Sequence, residues 1–282
     1  MKITKLALAA VCALSASVVM ADKKAADTSP ADDLKVYRDY FQKRFPGVPL
    51  QEFANGGYAL DRVARDNWEA IEEFPPSEPM IAAGEAMWNT AFANGKTYGS
   101  CFGDEPAQRK NFPYWDAGRK MVVTLPLAIN ECRERNGEQP LKYNKGKIAD
   151  LLAYMSYESR GQKINVRVPD DPDAVAAYNA GKEFYFARRG QLNFSCAGCH
   201  FESGGMHIRS ELLSPALGHA SGFPVYRSKW GELGTLHRRF GGCNRQVRAA
   251  SFKPQGKEYR KLEYFLTHMS NGIEYNGPSA RK

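Results

Sequence analysis

Cys196-Ala197-Gly198-Cys199-His200 is the stretch on which the reading of this chain turns. Two thiols three positions apart, with a histidine directly after the second, form the attachment pattern of a c-type haem. The thiols bond to the two haem vinyl groups, and the short turn brings the imidazole to the iron as its proximal ligand. A zinc half-site, a redox-active pair and a chance match are the alternatives. Zinc needs four ligands at suitable spacing, and no second pair follows. A redox-active CxxC belongs in a βαβ pattern, which this sequence lacks.

The beginning of the chain agrees with haem. Met1-Lys2-Ile3-Thr4-Lys5 is basic, Leu6 to Met20 is apolar, and Ala21 is a small cleavage residue. Residues 1–21 therefore read as a secretory signal peptide. The apolar run is too short to span a bilayer, so no membrane anchor is expected. Ala9-Ala10-Val11 before Cys12 is a poor lipoprotein processing site. Thioether attachment of haem takes place outside the cytoplasm, so the motif and the leader point together to the bacterial periplasm.

The 282 residues carry a formal net charge of +8, of which Lys2 and Lys5 leave with the leader. The remaining charge suits an anionic substrate or an acidic partner, or plain solubility. Nothing calls for a nucleic-acid partner. Of six cysteines, Cys12 belongs to the leader and Cys196 and Cys199 to the haem. Cys101 and Cys132 can pair in an oxidising compartment, which leaves Cys243 as the odd thiol.

In chain order, Ser29-Pro30-Ala31-Asp32 is a capping box with proline at the first helical position. Leu34, Tyr37, Phe41 and Phe45 follow at helical spacing, and Pro46-Gly47 closes the helix. A second helix is expected over 58–73, with Leu60, Val63, Ala64, Asn67 and Ile71 on one side. Residues 22–78 thus form a helical extension. Two matched halves come next. Ala83-Gly84, Met87-Trp88, Ser100-Cys101, Thr124-Leu125 and Cys132 recur as Ala180-Gly181, Phe184-Tyr185, Ser195-Cys196, Thr235-Leu236 and Cys243. Each half ends in an amphipathic helix, through Met155-Ser156 in one and Met269-Ser270 in the other. The halves divide as 79–165 and 166–282, with a proline- and aspartate-rich linker from Val166 to Pro172. The fold class expected is mainly α: two tandem cytochrome c-like domains behind a helical extension.

The repeat shows what the first half lacks. Asp104 and Glu105 stand where the second haem cysteine and its histidine would be. Cys101 and Cys132 align with Cys196 and Cys243, on either side of the place a haem would take. They are then free to form a disulfide, or to remain as two buried thiols.

Candidates for the second axial position on the iron are Met206, His207, His219, His237, His268, Met269 and Cys243. Met269 has a twin in Met155 of the haem-free half, which points to packing. Cys243 lies among Arg238, Arg239, Arg245 and Arg248, after Gly241-Gly242. Positive charge stabilises a thiolate, and guanidinium groups bind tetrahedral oxyanions in bidentate fashion. The same arginines also fit a solvated loop.

Cys196 to His200, with Arg239-Phe240-Gly241-Gly242-Cys243-Asn244-Arg245-Gln246, resembles the SoxA family, the c-type cytochrome subunits of the SoxAX complex of bacterial thiosulfate oxidation. The likeness runs from the extension to the last helix, and Asp104 and Glu105 resemble the single-haem group. The resemblance implies one covalent haem on Cys196 and Cys199, with His200 and Cys243 as axial ligands. It further implies that Cys243 is the catalytic thiol, often found as a persulfide, and that Arg239 binds substrate. The implied activity is that of an L-cysteine S-thiosulfotransferase subunit, which joins thiosulfate to a cysteine of the carrier SoxYZ. The implied partner is a SoxX-like cytochrome in a heterodimer, and the electrons pass to c-type cytochrome. The other reading is a plain periplasmic electron-transfer cytochrome c in which Cys243 is incidental.

Overall fold

Ser29 opens the first helix of the computed structural model, which describes residues 28–208 and 211–281. The expected signal peptide, with Cys12, lies outside the described residues. The Ser29 side chain accepts from the Asp32 amide and Pro30 takes the first position of α1, Pro30–Arg44. Tyr37 and Phe41 are its buried residues. A 3₁₀ segment, Leu50–Ala59, follows and packs Phe53 into the core. The expected helix over 58–73 is shorter at its start: α2 is Arg62–Glu72, because Asp61 caps it by accepting from the Ala64 amide. Its apolar side is also corrected. No residue of α2 is buried, and Val63 and Ile71 are 71% and 44% exposed.

Two sets of elements then run in the same order. The first has α3 (Glu78–Asn89), a short α4 (Gly99–Phe102), β1 (Tyr114–Asp116), β2 (Met121–Val123), α5 (Leu125–Arg135) and α6 (Lys147–Glu158). The second has α7 (Pro172–Phe186), a π-helical turn (Gly198–Glu202), β3 (His207–Ile208), β4 (Glu211–Leu212), β5 (Val225–Arg227), β6 (Glu232–Gly234), α8 (Leu236–Gln246) and α9 (Lys257–Met269). A last strand, β7 (Ser279–Arg281), pairs in parallel with β5.

The likeness of the two sets reaches single atoms. α3 crosses α6 at Gly84, where a Cβ would fall 2.1 Å from the Asp150 carbonyl oxygen. α7 crosses α9 at Gly181, where the matching distance to Lys261 O is also 2.1 Å. Side chains at those two positions would hold the helices apart, so glycine is required by the close approach. The hairpins agree in register: Tyr114 faces Val123 and Asp116 faces Met121, as Val225 faces Gly234 and Arg227 faces Glu232. Thr124 and Thr235 then cap α5 and α8, each side chain accepting an amide three residues on.

Each set has its own apolar core. Trp88, Tyr98, Phe112, Leu125, Ile129, Ile148, Leu151 and Met155 fill the first. Tyr37, Phe41, Phe53, Tyr178, Tyr185, Tyr259, Tyr264, Phe265 and Met269 fill the second, so α1 belongs to the second core. Cys101 on α4 and Cys132 on α5 are joined by a disulfide in the first. Polar ties connect the sets, among them Arg109 Nη2 to the Ala220 carbonyl at 3.0 Å and the Thr235 amide to Asn144 O at 3.1 Å.

Candidate active site at the haem-attachment turn

Ser195 starts the turn that carries the two thiols. Its hydroxyl accepts from the Gly198 amide at 2.8 Å, as a capping residue does, and Ala197 is buried behind it. Cys196, Cys199 and Cys243 are free and partly buried. Burial and the neighbouring Cys243 push the Cys196 thiol up to about 12, and the same two causes raise Cys199. The three sulfurs therefore lie within one another's electrostatic reach.

His200 is fixed from behind. Its Nδ1–H donates to the Ser214 carbonyl at 2.9 Å, and its own carbonyl accepts from the Ala216 amide at 2.9 Å. This bond selects the tautomer whose Nε2 keeps its lone pair, which is how a metal-binding histidine is commonly oriented. The His200 ring in turn lies against Cys243, with its Nε2 side toward the sulfur. Burial pushes the Cys243 thiol up, but the Arg239 charge, then His200 and Arg227, outweigh it and bring it down to about 7. Arg239 is one helical turn before Cys243 on α8 and shares its face. Its guanidinium has no hydrogen bond or ion pair within the chain among the described residues.

The other candidate ligands are committed elsewhere. Met206 is 58% exposed, His207 is exposed on β3, and Met269 is packed in the core. His268 bridges the Val166 and Pro30 carbonyls. His237 accepts from the Gln255 amide and stands 2.9 Å from Glu263. His219 packs edge-on to His200, ring centroids 4.5 Å apart, but its Nε2 is bonded to Ser214 Oγ. Cys243 is the candidate that faces His200.

Of the arginines around Cys243 in sequence, only Arg239 turns toward it. Arg238 stacks on Trp230 at 4.1 Å and pairs with Glu232, Arg245 bonds Ser251 Oγ, and Arg248 lines an exposed cleft with Arg188 and Arg189. Two contributors escape motif reading. Ser214 acts through a main-chain oxygen, which leaves no trace in side-chain identity. Arg227 belongs to a three-residue strand far from the cysteine in sequence, and only its alignment with Asp116 in the first half could single it out.

These residues fit a haem. Two free thiols share one turn, a histidine ring nitrogen is fixed with its lone pair forward, and a soft sulfur donor stands on the other side. Aromatic rings of Phe201, Phe240 and Tyr185 supply apolar walls. The zinc alternative finds no support, since no group of three or more His, Cys, Asp or Glu among the described residues could hold a bare ion.

Fold and site together define a cytochrome c-type protein in which a histidine ring faces a free thiol. The profile of the SoxA/TsdA cytochrome c domain matches residues 83–164, the half that carries Cys101 and Cys132. A SoxXA crystal structure from Paracoccus pantotrophus aligns with TM-score 0.69 and 31% identity, covering 77% of this chain and 84% of that one. The L-cysteine S-thiosulfotransferase subunit SoxA of Allochromatium vinosum is 61% identical over 255 residues, 90% of this chain and 91% of that protein. The protein of the same name from Chlorobaculum tepidum is 54% identical over 250 residues, 89% of this chain and 87% of its own. The chain belongs to the SoxA family. Among the described residues no helix is long and apolar enough to cross a membrane.

Proposed function

We propose that this chain is the catalytic subunit of an L-cysteine S-thiosulfotransferase, which conjugates thiosulfate oxidatively to a cysteine of a SoxYZ carrier protein. Cys196 and Cys199 would hold one haem covalently and His200 and Cys243 would bind its iron, and the group would supply a redox centre beside the reacting sulfur. Cys243 is the catalytic thiol and Arg239 holds the substrate. What carries the reading is Cys243 facing His200 with the unpaired Arg239 guanidinium beside it.

Arg239 binds the sulfonate end of the dianion as a charge-assisted fork and directs the outer sulfur toward Cys243. A bond forms between Cys243 Sγ and that sulfur, and two electrons leave to c-type cytochrome. The carrier thiolate then attacks the transferred sulfur, the bond to Cys243 breaks, and Cys243 returns as thiolate. His200 keeps its place throughout because Ser214 O retains its Nδ1 proton. The partner is a SoxX-like cytochrome in a heterodimer. Val63, Ile71 and Phe74, exposed on the extension, suit contact with it. Residues 1–21 direct export to the periplasm, 22–78 form the extension, 79–165 a haem-free cytochrome c-like domain cross-linked by Cys101–Cys132, and 166–282 the haem domain.

The test uses the holoprotein with its cytochrome partner, thiosulfate and SoxYZ, and weighs the carrier by mass spectrometry. Wild type should add a thiosulfonate group to the carrier cysteine, and Cys243→Ala should add none while keeping its haem. Arg239→Ala should lower kcat/KM for thiosulfate without losing haem. Conjugation by Cys243→Ala at the wild-type rate would remove Cys243 as the catalytic thiol, and a wild type that conjugates nothing would leave a plain electron carrier as the reading.

A further inference from the structure

We propose that Arg227 is a second substrate-holding residue, which closes with Arg239 from the opposite element on the sulfonate of the dianion at Cys243. The inference rests on the thiosulfate reading and adds a residue to it. Arg227 ends β5, the middle strand between β6 and β7, and is only 9% exposed. Its Nε has no hydrogen-bond partner among the described residues. The nearest carboxylate, Glu211, is 3.8 Å away and more than half exposed. A buried guanidinium without a close anion is unfavourable, and it favours any anion that completes its bonds.

Two observations direct that demand toward Cys243. The charge of Arg227 reaches the Cys243 sulfur and Arg239, so the two guanidinium groups and the thiol lie within electrostatic range of one another. A dianion between the two cations would remove their mutual repulsion. The ladder then fixes Arg227 from both sides, facing Glu232 on β6 and Arg281 on β7, with Trp230 under its guanidinium at 5.6 Å. A second fork held by strands complements one held by a helix, and a sulfonate has three oxygens to share between them.

The repeat supplies an internal comparison. The residue at the Arg227 place of the first hairpin is Asp116, and the residue at the Arg239 place of α5 is Ala128. The set of elements whose cysteine is tied up in a disulfide has neither arginine. The set with the free thiol has both. Glycine crossings, threonine caps and hairpin register are common to the two sets, so the scaffold does not require an arginine at position 227.

The competing view is that Arg227 is a strut for Glu211 and Trp230. Arg227→Gln, Arg227→Lys and Glu211→Gln separate the two in the haem-loaded complex at fixed ionic strength. The readings are KM and kcat for thiosulfate, and the Kd of sulfate, an inert tetrahedral dianion, by calorimetry. Arg227→Gln should raise both KM and the sulfate Kd by about tenfold to a hundredfold, the loss expected for one charge-assisted contact. Arg227→Lys should recover part of it, and Glu211→Gln should leave both values at or below wild type. Haem content should stay constant across the set. Unchanged KM and Kd in Arg227→Gln, or an equal loss in Glu211→Gln, would overturn the clamp. Sulfate binding does not depend on turnover. A wild type that binds sulfate through Arg227 but conjugates no thiosulfate would refute the proposed function and support the clamp.

Discussion

Two glycines and a third as their control give the sharpest prediction about what holds this molecule together. A Cβ built at Gly181 lies 2.1 Å from Lys261 O and 3.0 Å from Phe265 Cβ, and one at Gly84 lies 2.1 Å from Asp150 O and 2.9 Å from Tyr154 Cβ. Both contacts are to backbone oxygens within a helix, which cannot rotate aside, so α7 and α9, or α3 and α6, must move apart by roughly 1 Å. Replacing glycine by alanine inside a helix otherwise gains about 1 kcal/mol. Overpacking costs about 1–3 kcal/mol, and a main-chain clash belongs at the top of that range. Gly181→Ala and Gly84→Ala should therefore each destabilise by about 2 kcal/mol, lowering the melting temperature by about 4–8 °C for a chain of this size. Gly242 is inside α8 with nothing within 4 Å of its Cβ position, so Gly242→Ala should stabilise by up to about 1 kcal/mol. Thermal melts followed by circular dichroism on the haem-loaded protein read all three. The Soret band adds a second readout, which should change for Gly181→Ala, whose helix carries Tyr185, and not for Gly84→Ala. An unchanged or raised melting temperature for either crossing variant would refute the reasoning, as would a drop for Gly242→Ala.

Cys101 and Cys132 close a loop of 31 positions, and removing both should cost about 3–4 kcal/mol by chain entropy. Urea denaturation of the Cys101→Ala, Cys132→Ala protein measures it, and a loss below 1 kcal/mol would place the strength of that half in its core. Thr235→Ala removes the cap of α8 and the bond from Thr235 Oγ1 to Tyr143 O, and should cost about 1–2 kcal/mol in the same assay. Intact mass of the exported protein should show one haem, one disulfide and one residual thiol or persulfide; a reduced Cys101 would contradict the cross-link.

Much of this was legible because the decisive residues are constrained by chemistry or by close contact. Cys196 to His200 can be read as a unit, and the paired glycines survive as sequence marks because no other residue fits a crossing 2.1 Å deep. Cys243 stood out as the thiol left over. What escaped reading was set by tertiary partners. Val63 and Ile71 have helical spacing but face outward, since α2 is held through Glu72, which accepts from the Ala280 amide, and through Arg281 over Trp68. Arg238 belongs to the sequence cluster around Cys243, yet Trp230 and Glu232 draw it away. Arg227 arrives from β5, and three-residue strands are too short for an alternating pattern to register.

The docking of α1 carries a consequence for the order in which the molecule is made. Tyr40 Oη and Arg44 Nη1 donate to the Phe201 carbonyl at the end of the cysteine turn, and the Tyr40 ring stacks on Phe201 at 4.0 Å. Those contacts join residues 157 and more positions apart, so the first of the described helices is tied to a turn that emerges far later. Closing a loop of that length is slow compared with local helix formation. The cysteine turn therefore has a period of open access before α1 is drawn across it. The N-terminal helix then closes over the turn that carries Cys196 and Cys199.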